Sequence, residues 1–265
     1  MKNILLTGLF LTTSLLGITA QANSAKASSM WDMPQPTILS KAQTGFNDQP
    51  YQSYVQQERV KLKNSNQFRI DVNALSLKYD YNVSTYFINE GASYKNQLGY
   101  TSQGTTNKEG LLFKDISCAG AGCVLGGDKS VLKLGDGVNI GQIAAKSTLD
   151  FKLRADGYNR GNNAYVFGAQ DSKNADGLQH VVAYGIKGTG YILMGFEDLY
   201  GNGASGGKFG EYSDRDFNDT VFIVDIGKKN VDAFLGRDVP EPSIMLSLLG
   251  LSAAGALKLR RGKAA

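Results

Sequence analysis

Two uncharged apolar runs bracket the chain, Ile4 to Ile18 near the start and Ser243 to Leu257 near the end. Between them hydrophobic residues come in short bursts. From Gln67 onward Phe68, Ile70 and Val72 alternate with polar residues, and Val83 to Ile88 is β-branched and aromatic, the period-2 pattern of a strand with one buried face. Leu111 to Ile116, Val131 to Leu134, Thr148 to Ala155, Ala164 to Gly168, His180 to Ile186, Tyr191 to Phe196 and Thr220 to Ile226 are further candidates, separated by Gly, Asn and Asp. About nine short strands with such turns predict an all-β fold, an antiparallel β-sandwich of jelly-roll type over residues 67–227. Upstream, Ala25 to Gln49 is polar and interrupted by Pro34 and Pro36, while Val55, Val60 and Leu62 give Tyr51 to Lys63 the spacing of a short helix. Residues 23–66 therefore read as a linker or loose N-terminal arm with a short helix, and 228–238 as a linker.

The first apolar run follows Met1-Lys2-Asn3 and precedes Ala20-Gln21-Ala22, the small-x-small pattern that signal peptidase accepts. Residues 1–22 are thus expected to be a signal peptide cleaved after Ala22. The second run, about 15 residues, is shorter than the roughly 20 that span a bilayer comfortably. Lys258, Arg260, Arg261 and Lys263 form a basic stop behind it, able to snorkel to the headgroups and expected on the cytoplasmic side. Ahead of it, Val239-Pro240-Glu241-Pro242 favours an extended, unpaired backbone that suits a protease groove. An ordinary tail anchor with an incidental proline pair is the alternative.

That order of motif, apolar span and basic cluster over residues 239–265 resembles the PEP-CTERM sorting signal. The resemblance implies an exported protein of a Gram-negative bacterium that makes exopolysaccharide, held transiently in the inner membrane and processed by exosortase. It identifies a substrate of sorting; the expected destination is the cell surface or extracellular matrix, with the exopolysaccharide or biofilm layer as the expected partner.

The chain carries 28 Lys and Arg against 24 Asp and Glu. Removing Lys2 with the signal, and four bases with Glu241 at the other end, leaves 23 of each sign. A neutral body gives no basis for nucleic-acid binding. With 32 Gly, 5 Pro, 13 Tyr and 12 Phe, the composition suits short strands and tight turns more than disorder. Cys118 and Cys123 flank Ala-Gly-Ala-Gly and are expected to form a disulfide in an oxidising compartment, since two thiols without a nearby His make a poor zinc set.

The densest chemistry lies between Gly195 and Ile226. Glu197 and Asp198 end one strand, and Asp214-Arg215-Asp216-Phe217-Asn218-Asp219 leads into another. Oxygen donors at Asp214, Asp216 and Asn218 repeat the every-second-residue spacing of calcium loops, and Glu197, Asp198 and Asp219 can complete a shell for Ca²⁺. Asp219 stands where an EF-hand has Gly and a strand follows in place of a helix, so the fold is not an EF-hand. The plainer alternative is that these side chains cap turns around a hairpin. His180 is the only histidine and no G-x-S-x-G elbow occurs, so a non-catalytic protein is expected; Glu197 with Glu211 or Asp214 leaves glycoside hydrolysis as a remote alternative.

Tyr94 to Tyr100, Asp176 to Val181, Gly195 to Leu199 and Asp214 to Asp219 are similar to the domain of unknown function 4114, over roughly Phe68 to Ile226. That resemblance implies an extracellular β domain and no established activity. Two function classes stay open: a calcium-stabilised surface or matrix protein, and a calcium-dependent, lectin-like carbohydrate-binding module in which Tyr and Phe stack on sugars.

Overall fold

The computed structural model describes residues 29–54, 67–125, 130–203, 206–210 and 212–236. The expected signal peptide with Ala20 and Ala22 lies outside the described residues, as do Val239, Pro240, Glu241, Pro242, Lys258, Arg260, Arg261 and Lys263. Among the described residues no helix is long and apolar enough to cross a membrane.

Ten strands form two antiparallel sheets among those residues. One sheet runs β1 (Gln67–Ile70), β8 (Val181–Ile186), β9 (Tyr191–Phe196), β10 (Thr220–Asp225), β2 (Tyr81–Asn89), β5 (Gly137–Ile143). The other runs β4 (Lys108–Ile116), β3 (Asn96–Gly104), β6 (Ser147–Arg154), β7 (Val166–Gly168). Alternation decides what meets between them: Leu149, Phe151 and Leu153 of β6 and Phe222 and Val224 of β10 belong to one shared core. The Phe151 and Phe222 rings approach to 5.6 Å across the layers. Each fully buried ring of this kind contributes about 1.5–3 kcal/mol.

β3 and β5 are strands that the hydrophobic pattern does not announce. Their sequences, NQLGYTSQG and GVNIGQI, are dominated by Gly, Asn, Gln and Ser. β3 is nevertheless central, paired with β4 on one side and β6 on the other, and its residues are buried by those ladders more than by their own apolarity. Gly110, opposite Tyr100, leaves room for that ring, which would stand 2.8 Å from a Cβ at this position. Val131 to Leu134 forms no strand; Leu132 makes a single parallel bridge to Cys118 instead. β1 stops at Ile70 because Asp71 caps a 3₁₀ turn over Val72–Ala74, accepting from Asn73 N at 2.9 Å.

Two expectations need correction. The described part of the N-terminal arm is docked: Leu39 and Gly137 exchange backbone hydrogen bonds at 2.8 Å, and Phe46 stacks on Tyr86 at 4.1 Å. Its described elements are the short helix α1 (Lys41–Thr44) and 3₁₀ turns at Met30–Asp32 and Gln49–Tyr54; the rest of the expected helix, 55–63, lies outside the described residues. The expected linker 228–238 contains a packed helix. After α2 (Gly157–Arg160), the third α-helix among the described residues is α3 (Lys228–Phe234), with Val231 fully buried and the Asn230 amide oxygen accepting from Lys78 N and Tyr79 N at 2.8 Å. Helical spacing in a segment this short carries little signal against its three lysine and aspartate charges. Cys118 and Cys123 are joined by a disulfide.

Candidate metal centre

β9 and β10 are hydrogen-bonded neighbours with Phe196 opposite Thr220, so the residues leaving one strand and entering the other meet at the same end of the sheet. Phe196 is fully buried against Phe222 and anchors that end. Successive residues of an extended chain face opposite ways, so Glu197 and Asp198 diverge. Glu197 N donates to His180 O at 2.9 Å, while Asp198 N donates to Asp219 Oδ2 at 2.7 Å. In the loop before β10, Arg215 and Phe217 both adopt left-handed backbone, at φ +62° and +63°. Such conformations cost roughly 1–3 kcal/mol each in a non-glycine residue and persist only where packing enforces them. Here Phe217 is buried and the Arg215 guanidinium, 5.0 Å from its ring, donates to the Gln179 carbonyl.

The result gathers three carboxylates. One oxygen each of Glu197, Asp214 and Asp216 lies within 4.8 Å of the others; Glu197 and Asp216 are buried and Asp214 is exposed. Glu197 has no exposed surface, and neither of its oxygens makes a hydrogen bond. Ser213 Oγ is also buried and unbonded; it lies near enough to Glu197 to favour the carboxylate, without hydrogen-bond geometry. Two like charges at such a separation repel by about 3 kcal/mol at an effective dielectric of about 20. Burial, reinforced by Asp214 and Asp216 and opposed by Ser213 and Arg215, pushes the Glu197 carboxyl above its usual range. A buried carboxylate with both oxygens unbonded and two further carboxylates beside it is what a hard cation satisfies.

The six acidic and amide residues singled out in the sequence do not form one shell. Asp198 and Asp219 form a buried pair of their own: Asn96 Nδ2 donates to Asp198 Oδ2 at 2.7 Å, and burial raises both carboxyls, with the Glu197 charge adding to it at Asp198 against the Asn96 hydrogen bond, and the Asp198 and Glu197 charges adding to it at Asp219. Asn218 packs on Gly91, accepting from Gly91 N at 3.0 Å, and donates from its own N to Asp216 Oδ1 at 3.0 Å. A Cβ on Gly91 would stand 2.1 Å from Asn218 Oδ1, so a glycine is required there. Asn218 thus braces Asp216 through its backbone.

Sequence reasoning passed over Ser213 and the bracket behind Glu197. His180, fully buried and stacked on Phe167 at 3.6 Å, turns Nδ1 to Glu197 O and Nε2 to Asp176 Oδ2, both at 2.9 Å. Burial opposes charge on both partners, yet hydrogen bonds from Gly201 N, Leu178 N and His180 hold Asp176 below the usual carboxylate range. For His180 burial prevails and lowers its pKa. The four-residue spacing of Asp176 and His180 was the available signal.

These features define an antiparallel two-sheet domain with an acidic, metal-like centre built on two adjacent strand ends. Residues 143–227, which hold β6 to β10 and all of that centre, match the family described as a domain of unknown function, DUF4114. Residues 238–261 match the PEP-CTERM protein-sorting motif, so the chain carries the signal of an exosortase-sorted, exported protein. The Tyr94 to Tyr100 segment falls outside the matched span. No curated protein and no solved structure matches the chain.

Proposed function

We propose that this chain is a non-catalytic protein of the cell surface or extracellular matrix whose β domain is stabilised by Ca²⁺ after export. The observation that carries the reading is Glu197, wholly buried with both oxygens unbonded, within 4.8 Å of the Asp214 and Asp216 carboxylates. Ca²⁺ takes six to eight oxygens at roughly 2.3–2.6 Å. Glu197, Asp214 and Asp216 would supply charged ligands, and Ser213 and solvent are near enough to add neutral ones. Buried Glu197 favours this over a glycosidase, because its general acid must reach a sugar oxygen. A jelly-roll connectivity is supported by four passages of the chain between sheets, after β2, β4, β5 and β7. A role in the exopolysaccharide layer rests on the sorting motif alone.

Calorimetric titration of the full chain with CaCl₂ tests the metal. Saturable binding that disappears in Glu197→Gln and Asp216→Asn is expected; a flat isotherm at millimolar calcium overturns the reading.

A further inference from the structure

The loop between β9 and β10 that brings Asp214 to this centre also carries, as its outer rim, aromatic and cationic side chains that metal binding alone does not use. Glu197 and Asp216 are buried while Asp214 is exposed, so a cation held among them would be open to solvent on the Asp214 side. Two residues before Asp214, Tyr212 is 58 % exposed, and its hydroxyl lies 3.9 Å from where a Cβ on Gly203 would stand, over the loop that follows β9. On that loop Lys208 is exposed, with Nζ 4.5 Å from the Tyr165 ring centroid and 5.2 Å from that of Phe209. Tyr165 stacks on Tyr200 at 5.1 Å and accepts a hydrogen bond from Lys208 N through its hydroxyl at 2.7 Å. Arg160 lies over Phe209 at 3.7 Å, held by Asp156 at 3.0 Å.

The chemistry of this rim selects its ligand. Tyrosine faces offer flat apolar platforms with polar edges, suited to the C–H faces of pyranose rings. Three carboxylates leave most calcium positions to other oxygens. Without the cation the three acids repel an anion; Ca²⁺ cancels two of their three charges and leaves coordination positions that a carboxylate can fill, and exposed Lys208 adds a positive charge on the same loop.

We propose that the rim binds an acidic polysaccharide: a uronate carboxylate completes the coordination of the cation, a pyranose face lies on Tyr212, and Lys208 pairs with a neighbouring carboxylate. This rests on the calcium reading above.

The test uses the full chain on an array of uronate-containing and neutral oligosaccharides, in calcium and in EDTA, followed by titration with the strongest uronate binder. Selective uronate binding that is lost in EDTA is expected. Tyr212→Ala and Lys208→Ala, both at exposed positions, are expected to weaken it on the order of tenfold each, with calcium affinity and melting temperature unchanged. Normal calcium titration beside a blank array overturns this proposal and leaves the metal reading standing. Equal binding of neutral sugars, binding that survives EDTA, or wild-type affinity in the Tyr212→Ala/Lys208→Ala double variant also overturns it. Absence of calcium binding removes both.

Discussion

At Glu90 a single side chain sets a pH dependence. It is 4 % exposed, one oxygen accepts from Cys118 N at 2.6 Å and the other is unbonded. Burial, opposed by the Cys118 N–H and Lys95 and reinforced by Asp115 and Asp198, pushes its pKa from 4.5 up to about 8. The folded state then holds the proton more tightly than the unfolded chain. The favourable contribution is complete below the unfolded value and is lost as pH rises through the folded one. Metal-free protein is therefore expected to lose stability in denaturant melts as pH climbs from 4.5 to about 8, and Glu90→Gln to flatten that slope. His180→Ala removes a ring stacked on Phe167 and two hydrogen bonds, so urea unfolding should show a loss of about 3 kcal/mol. A loss under about 1 kcal/mol would mean that the bracket behind Glu197 contributes little.

At the scale of elements, the docked arm and the disulfide loop make separable contributions. Phe46 covers the outer face of the larger sheet with Tyr51, packing with Ile88, Leu193 and Ile223. Phe46→Ala should cost about 3 kcal/mol by equilibrium unfolding; an unchanged midpoint would show that the arm only rests on the sheet. The Cys118–Cys123 bridge has a sequence separation of 5, and the chain-entropy relation assigns so short a loop about 2 kcal/mol. Replacing both with Ala, and measuring the denaturant midpoint beside wild type, checks that figure. Strands with their own apolar signature were legible: β9 coincides with Tyr191 to Phe196, and β10 begins at Thr220 as the pattern predicts. β3 and β5 were not, because their burial comes from flanking ladders and no periodicity records a neighbour.

For the whole molecule, calcium and sorting give the readouts. At a free calcium concentration 100 times the dissociation constant, binding adds about 2.7 kcal/mol to unfolding free energy, so the melting temperature should rise with calcium and fall in EDTA. Alanine in place of Pro240, Glu241 and Pro242 is expected to leave the tail uncleaved, visible as a higher intact mass in the membrane fraction.

The sorting motif over residues 238–261 was legible as a linear feature, since the chemistry of a short motif, an apolar run and a basic cluster is local to the sequence. The same is true of the strand pair that supports the acidic centre. Which acids converge was decided only in three dimensions. Adjacent residues of a strand end point apart, separating Glu197 from Asp198, and the left-handed turns at Arg215 and Phe217 set Asp214 and Asp216 beside Glu197 while Asn218 turns to Gly91. Spacing along the chain counts donors, whereas backbone direction and burial determine which of them converge.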